Sequence, residues 1–121
     1  MENRFKFRAW YKPLETMLSD FEFHNTYTTL GTIAKDNNYV LMQCVGLKDV
    51  SGQLIYEGDI VLFGPNPDDI AVIEWDKDEC KFIVDEIFNN TRSDFSNWFG
   101  EDLEIIGNIY KDPDLIGGKK Q

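Results

Sequence analysis

One histidine, two cysteines, four prolines and no long apolar run are spread over 121 residues, and each scarcity removes a class of function. The longest apolar stretches, such as Tyr39 to Met42 and Ile70 to Ile73, cover only a few residues, whereas a membrane-crossing helix needs about 20. No membrane helix is expected. The opening residues Met1 to Arg8 alternate charge with aromatics and hold no apolar stretch followed by small residues, so no export leader is expected and the protein is read as cytoplasmic. His24, Cys44 and Cys80 are too few for a structural zinc site, which takes about four ligands. Nothing beside either thiol signals a nucleophile with its base, so both cysteines are read as reduced, small strand residues. Asn89-Asn90-Thr91 fits a glycosylation acceptor, but the pattern is short and the expected compartment is wrong for it.

Basic residues are also scarce: 12 against 22 acidic, for a net charge of −10. The deficit is confined to one half. Residues 1–50 carry six basic and six acidic side chains, whereas residues 51–121 carry six and sixteen. Such a field repels nucleic acid and suits solubility or a basic partner.

What is present is a series of short β segments. Phe5 to Trp10 alternates with period two, which sets Phe5, Phe7 and Ala9 on one face of a half-buried strand and Lys6, Arg8 and Trp10 on the other. Lys12-Pro13-Leu14-Glu15 supplies a turn, and Met17 to Phe23 returns as its hairpin partner. Residues 24–38 read as loop or a short turn of helix. Tyr39 to Val45 forms a strand punctuated by Gly46. Asp49-Val50-Ser51-Gly52 has the acceptor and glycine of a tight turn, and Glu57-Gly58-Asp59 makes a second corner between Leu54-Ile55-Tyr56 and Ile60 to Phe63. Pro65 to Asp69 is a loop. Ile70 to Trp75 and Cys80 to Val84 flank the polar turn Asp76-Lys77-Asp78-Glu79. Residues 85–101 have no clear period. Leu103 to Tyr110 is a late strand in which Gly107 suits a bulge.

The fold class expected is mainly β, a small SH3-like barrel or roll with additional hairpins and at most short helices. A single domain is expected over residues 1–116, with a flexible tail at 117–121.

Several clusters invite chemistry. Glu74, Asp76, Asp78 and Glu79 offer oxygen ligands, but the calcium-loop pattern fails at Cys80, Lys81 and Ile87, so a solvated turn is the expected role. Glu57 and Asp59 flank a glycine and could act as acid and base; the commoner alternative has Asp59 bonding local backbone to set the corner. Arg4, Lys6, Arg8 and Lys12, near Trp10 and Tyr11, form a candidate nucleic-acid contact. The alternative is the outer face of a strand, its charges complementing the acidic second half of this chain or of another copy.

Three stretches carry a family likeness: Lys6-Phe7-Arg8-Ala9-Trp10, then Gly46-Leu47-Lys48-Asp49 through Ile55-Tyr56-Glu57-Gly58-Asp59-Ile60-Val61, then Ile105-Ile106-Gly107-Asn108-Ile109-Tyr110. In this order and spacing they resemble the YopX family of bacteriophage and prophage proteins, as do Val72-Ile73-Glu74-Trp75 and Asp112-Pro113-Asp114-Leu115 between and after them. The resemblance implies a mostly-β domain with an SH3-like barrel, carried by a phage or prophage and without an established activity. It brings no catalytic residues.

The functional expectation is a non-enzymatic phage accessory protein that takes no cofactor or metal and binds a host or phage protein, or itself as a homo-oligomer. Trp10, Tyr11, Trp75, Trp98 and Phe99 are the candidate contacts, since aromatics are favoured at interface centres. Nucleic-acid binding by the N-terminal strand is the alternative, and a cation-dependent enzyme is a distant third.

Overall fold

The computed structural model describes residues 6–18, 35–98 and 100–117. Two antiparallel sheets build the protein, one of them a half-barrel, and the helical elements lying wholly within the described residues are 3-10 turns. This is the mainly β architecture that the sequence predicts. Strands β1 (Phe7–Tyr11), β2 (Thr16–Leu18), β3 (Tyr39–Lys48) and β4 (Leu54–Tyr56) form a sheet in the order β2-β1-β3-β4. Strands β5 (Asp59–Leu62), β6 (Ile70–Asp76), β7 (Lys81–Glu86), β8 (Thr91–Asp94) and β9 (Glu104–Asn108) form the other, in the order β8-β7-β6-β5-β9.

Local chemistry accounts for the corners. Pro13 sits in the 3-10 turn Lys12–Leu14, and Glu15 at φ 47° reverses the chain so that Tyr11 faces Thr16. The predicted hairpin is therefore present as far as Leu18; its continuation to Phe23, residues 24–34 with His24, and the tail beyond Gly117 lie outside the described residues. In the turn after β3 the Gly52 N–H donates to the Asp49 carbonyl (3.0 Å), and the Asp49 carboxylate accepts from the Ser51 and Gln53 N–H groups. Gly107 stands opposite Ile60 at the register shift between β5 and β9, where the sequence suggests a bulge.

The core lies on both sides of the five-stranded sheet. Along β5 and β6, Val61, Ala71 and Ile73 enter one cluster with Ile55, Val84, Phe95 and Leu103, while the alternate residues Ile60, Ile70 and Val72 enter a second with Ile87 and Ile116. Period-two alternation sends neighbouring residues to opposite faces, and both faces are covered. Ile70 to Ile73 is therefore continuously apolar.

Three expectations are corrected. Arg8 does not lie on an outer face of its strand: with Trp10, which is buried, it points to the other sheet. The long Arg8 stem lets a charged residue reach a partner through apolar surroundings. Gly46 does not end its strand; at φ 98° it lies within a register shift, and β3 continues to Lys48. Cys80 is not a strand residue but the exposed last residue of the β6–β7 turn, at φ 55°. The turn is thus 77–80, and Asp76, the last residue of β6, caps it by accepting from the Asp78 and Glu79 N–H groups. Residues 85–101, which the sequence leaves unassigned, hold the end of β7, β8, the 3-10 turn Phe95–Asn97 and the start of another at Gly100–Asp102.

Candidate functional site

The chain crosses from one sheet to the other at Glu57-Gly58, and the surrounding residues are built around that crossing. The Glu57 N–H donates to the Gln43 carbonyl (3.0 Å), and the Glu57 carboxylate accepts from the Gln43 N–H (2.9 Å), which holds the corner to β3. The Gly58 N–H then donates to the Ile73 carbonyl of β6 (2.7 Å), and its own carbonyl accepts from the Ile109 N–H (3.0 Å). Gly58 adopts φ 87°, and a Cβ there would lie 3.0 Å from the Met42 sulfur, so conformation and space both favour glycine.

Asp59, next in the chain, is turned inward. Its carboxylate accepts from the Tyr56 N–H (2.8 Å) and from the Arg8 guanidinium (2.7 Å), which also lies over the Tyr56 ring at 4.7 Å. Burial pushes the Asp59 carboxyl up, against the pull of Arg8 and the Tyr56 hydrogen bond. Glu57 and Asp59 are therefore not presented outward together as an acid and base. Asp59 sets the corner, the alternative that the sequence offered. Asp49 has a related task at the other end of β9: one oxygen closes its own turn and the other accepts from the Ile105 N–H (2.9 Å). Burial alone would raise its carboxyl, but the hydrogen bonds from Ile105, Ser51 and Gln53 outweigh this and hold it below its usual value.

A cleft of about 390 Å³ opens beside the crossing, between β3 and β6. Its deep part is apolar, with Met42, Val72 and Ile73 all buried. Tyr110, stacked on Trp10 with ring centroids 6.0 Å apart, and Trp75, 43% exposed and edge-on to Phe82 at 5.0 Å, add aromatic surface. Two carboxylates, Glu57 and Glu74, line the same cleft. Burial raises the Glu57 carboxyl, partly offset by the Gln43 hydrogen bond and by Arg8, and burial beside Glu57 raises the Tyr110 phenol.

The predicted contact residues are dispersed. Trp75 is in the cleft, and Trp10 is buried behind Tyr110. Tyr11 is half-buried against Tyr39 (4.8 Å), and Trp98 packs on Phe63 (5.6 Å) with its indole N–H donating to Ser93 (3.0 Å). Of the basic set, Arg8 is bound to Asp59, Lys6 is half-buried and Lys12 is exposed. Arg4 and Phe99 lie outside the described residues. In the acidic set, Asp76 caps its own turn and Glu74 lies 3.5 Å from Arg92. No group of three or more potential metal ligands converges among the described residues. Sequence reasoning missed the cleft itself and the part of Tyr110. The signals were Trp75, singled out as an aromatic contact, and Glu57 beside Gly58, which marks the corner but not what folds over it.

Residues 6–117 match the YopX protein family. Protein EF1440 from Enterococcus faecalis, a crystal structure, is 27% identical with a TM-score of 0.60; the match covers 92% of this chain and 96% of that one. Protein yopX from Bacillus subtilis, also a crystal structure, is 17% identical with a TM-score of 0.56, over 93% of this chain and 98% of that one. Among curated proteins none matches the chain.

Proposed function

The chain belongs to the YopX family, a family of unknown function, and we propose that it is a non-enzymatic accessory protein of a phage or prophage that binds a protein partner in the bacterial cytoplasm. The observation that carries this reading is the cleft beside Gly58, where an exposed tryptophan adjoins a buried apolar surface. Exposed aromatics next to apolar pockets favour macromolecular contacts. Two of the carboxylates that the sequence offered for catalysis have structural work: Asp59 holds the two sheets together and Asp76 closes a turn.

Self-association is the weaker form of the proposal. An open sheet edge invites pairing between copies, and on one of the edges, strand β9, the Ile105 and Asn108 N–H groups are taken by the Asp49 and Asp112 carboxylates (2.9 and 3.1 Å). The nucleic-acid alternative loses Arg8 to Asp59.

The test is capture from host lysate with the tagged chain, with and without nuclease, alongside Trp75→Ala and with light scattering on the purified protein. A stoichiometric protein that survives nuclease and is depleted severalfold by Trp75→Ala is the expected result. Capture abolished by nuclease overturns the reading in favour of nucleic acid, and an empty column with a monodisperse monomer removes it.

A further inference from the structure

The cleft has strand edges on two sides. Strand β6 pairs with β5 only as far as Ile60 opposite Val72, yet continues beside β7 to Asp76 opposite Lys81. In an antiparallel ladder the peptide groups of alternate residues point to the same side. The Ile73 carbonyl points toward the corner, where it accepts from Gly58. The peptide N–H and C=O of Trp75, two residues on, therefore point the same way, past the start of β5 and into the cleft. The same argument holds for β3. The Cys44 N–H donates to Lys6 across the sheet toward β1, whereas the Gln43 peptide groups turn to Glu57 on the opposite side. Leu41, two residues before Gln43, turns its N–H and C=O to that side as well, and both Leu41 and Trp75 line the cleft.

Charge selects among extended segments. Each cleft carboxylate has an arginine near it that is shared with a second acid. Arg8 draws Glu57 down but is hydrogen-bonded to Asp59 at 2.7 Å. Arg92 lies 3.5 Å from Glu74 and 3.4 Å from Asp85. Among the described residues the cleft and its surround thus hold more acidic than basic groups, on a chain whose net charge is −10. A carboxylate partly withdrawn from water accepts a strong, charge-assisted hydrogen bond from a guanidinium. The aromatic faces of Trp75 and Tyr110 are suited to a guanidinium, and the apolar depth to its methylene stem.

We propose that the cleft between β3 and β6 binds an extended segment of a partner protein, added as a strand along the Trp75 or Leu41 peptide groups, with an arginine side chain directed at Glu57 and Glu74. This rests on the protein-binding reading above and specifies its partner chemistry. Main-chain pairing supplies affinity and the side-chain pocket supplies selectivity.

Three peptides serve as probes, titrated into 15N-labelled full-length protein: acetyl-Gly-Val-Arg-Val-Gly-amide, its citrulline analogue, and the arginine peptide with its two valine nitrogens methylated. Saturable shifts at the Trp75 and Leu41 amides are expected with the arginine peptide. Loss of the charge or of the amide donors weakens binding about tenfold, as does Glu74→Gln or Trp75→Ala, in line with a charge-assisted hydrogen bond or an aromatic anchor. Equal binding by the arginine and citrulline peptides, shifts confined to another surface, or no saturable shift at millimolar peptide overturns the inference. Lysate capture is then repeated with millimolar arginine peptide as competitor. A captured protein that the peptide does not displace leaves the protein-binding reading standing while this inference falls; if no protein is captured at all, the reading itself falls, whereas the peptide titration still decides the inference.

Discussion

The Arg8 guanidinium donates to the Asp59 carboxylate at 2.7 Å and in doing so ties β1 of one sheet to β5 of the other. The Asp59 side chain is 2% exposed and that of Arg8 13%, so the pair is largely withdrawn from water. A charge in such a place is costly without its partner. Removing Arg8 as Arg8→Met should therefore destabilise the protein by about 3 kcal/mol, while Arg8→Met combined with Asp59→Asn should recover a good part of the loss, because no orphaned charge remains and the amide oxygen of the substituted side chain can still accept from Tyr56. Urea unfolding of the two variants checks this. A double variant no more stable than the single one would show that the pair matters through packing alone.

Two glycines with similar backbones separate conformational strain from crowding. At Gly52, φ 92°, a Cβ would have nothing within 4 Å of it, whereas at Gly58, φ 87°, it would lie 3.0 Å from the Met42 sulfur. Gly52→Ala should cost about 1 kcal/mol, the penalty of a left-handed residue. Gly58→Ala carries the same penalty plus the shift of Met42, for a total of about 2 to 3 kcal/mol. Met42→Ala in the Gly58→Ala background should then cost less than Met42→Ala alone, a coupling that a double-mutant cycle of unfolding free energies measures.

The two thiols should behave differently. Cys44 is buried in β3 and burial raises its pKa, whereas Cys80 is exposed in a turn. A thiolate reagent requires access and ionisation. One thiol per chain should react with an aromatic disulfide in native buffer and two in denaturant, and Cys80→Ser should abolish the native reaction. Native reactivity that survives Cys80→Ser would mean that β3 opens readily.

These differences also mark where the sequence is legible. The corners at Asp49 to Gly52 and Glu57 to Asp59 can be read because the residue types that make them act locally, through an aspartate oxygen and a glycine with positive φ. The β6–β7 hairpin can be read for the same reason, but its turn shifts by one residue because Cys80 takes a left-handed backbone that its residue type does not advertise. Arg8 reads as exposed because alternation puts it opposite Phe7 and Ala9; only the other sheet, 51 residues away in sequence, supplies the carboxylate that draws it inward. Ile116 is fully buried beside Ile60 and Val72, yet it is the last residue of the short 3-10 turn that begins at Pro113, where no periodicity marks it. The cleft is of the same kind: β3, the corner and β6 all contribute, and no single stretch of sequence contains it.

Glu57 links the cleft to pH. Burial holds its carboxyl above the usual value, against the Gln43 hydrogen bond and Arg8, with Asp59, Tyr110 and Glu74 as its other titratable neighbours. A raised acid binds a proton in the folded state before it does in the unfolded one, so the slope of stability with pH is negative between the two values. Its contribution therefore grows as pH falls through the folded value and levels off below the unfolded value, near 4.5. Glu57→Gln keeps an acceptor for the Gln43 N–H but cannot ionise. At neutral pH the variant should be at least as stable as the parent, and the difference between the two should shrink as the solution is made mildly acidic. Thermal unfolding from pH 7 to pH 4 reads this difference directly. A variant that is less stable at pH 7 and whose deficit narrows on acidification would mean that the ionised Glu57 is favoured by Arg8 more than it is penalised by burial.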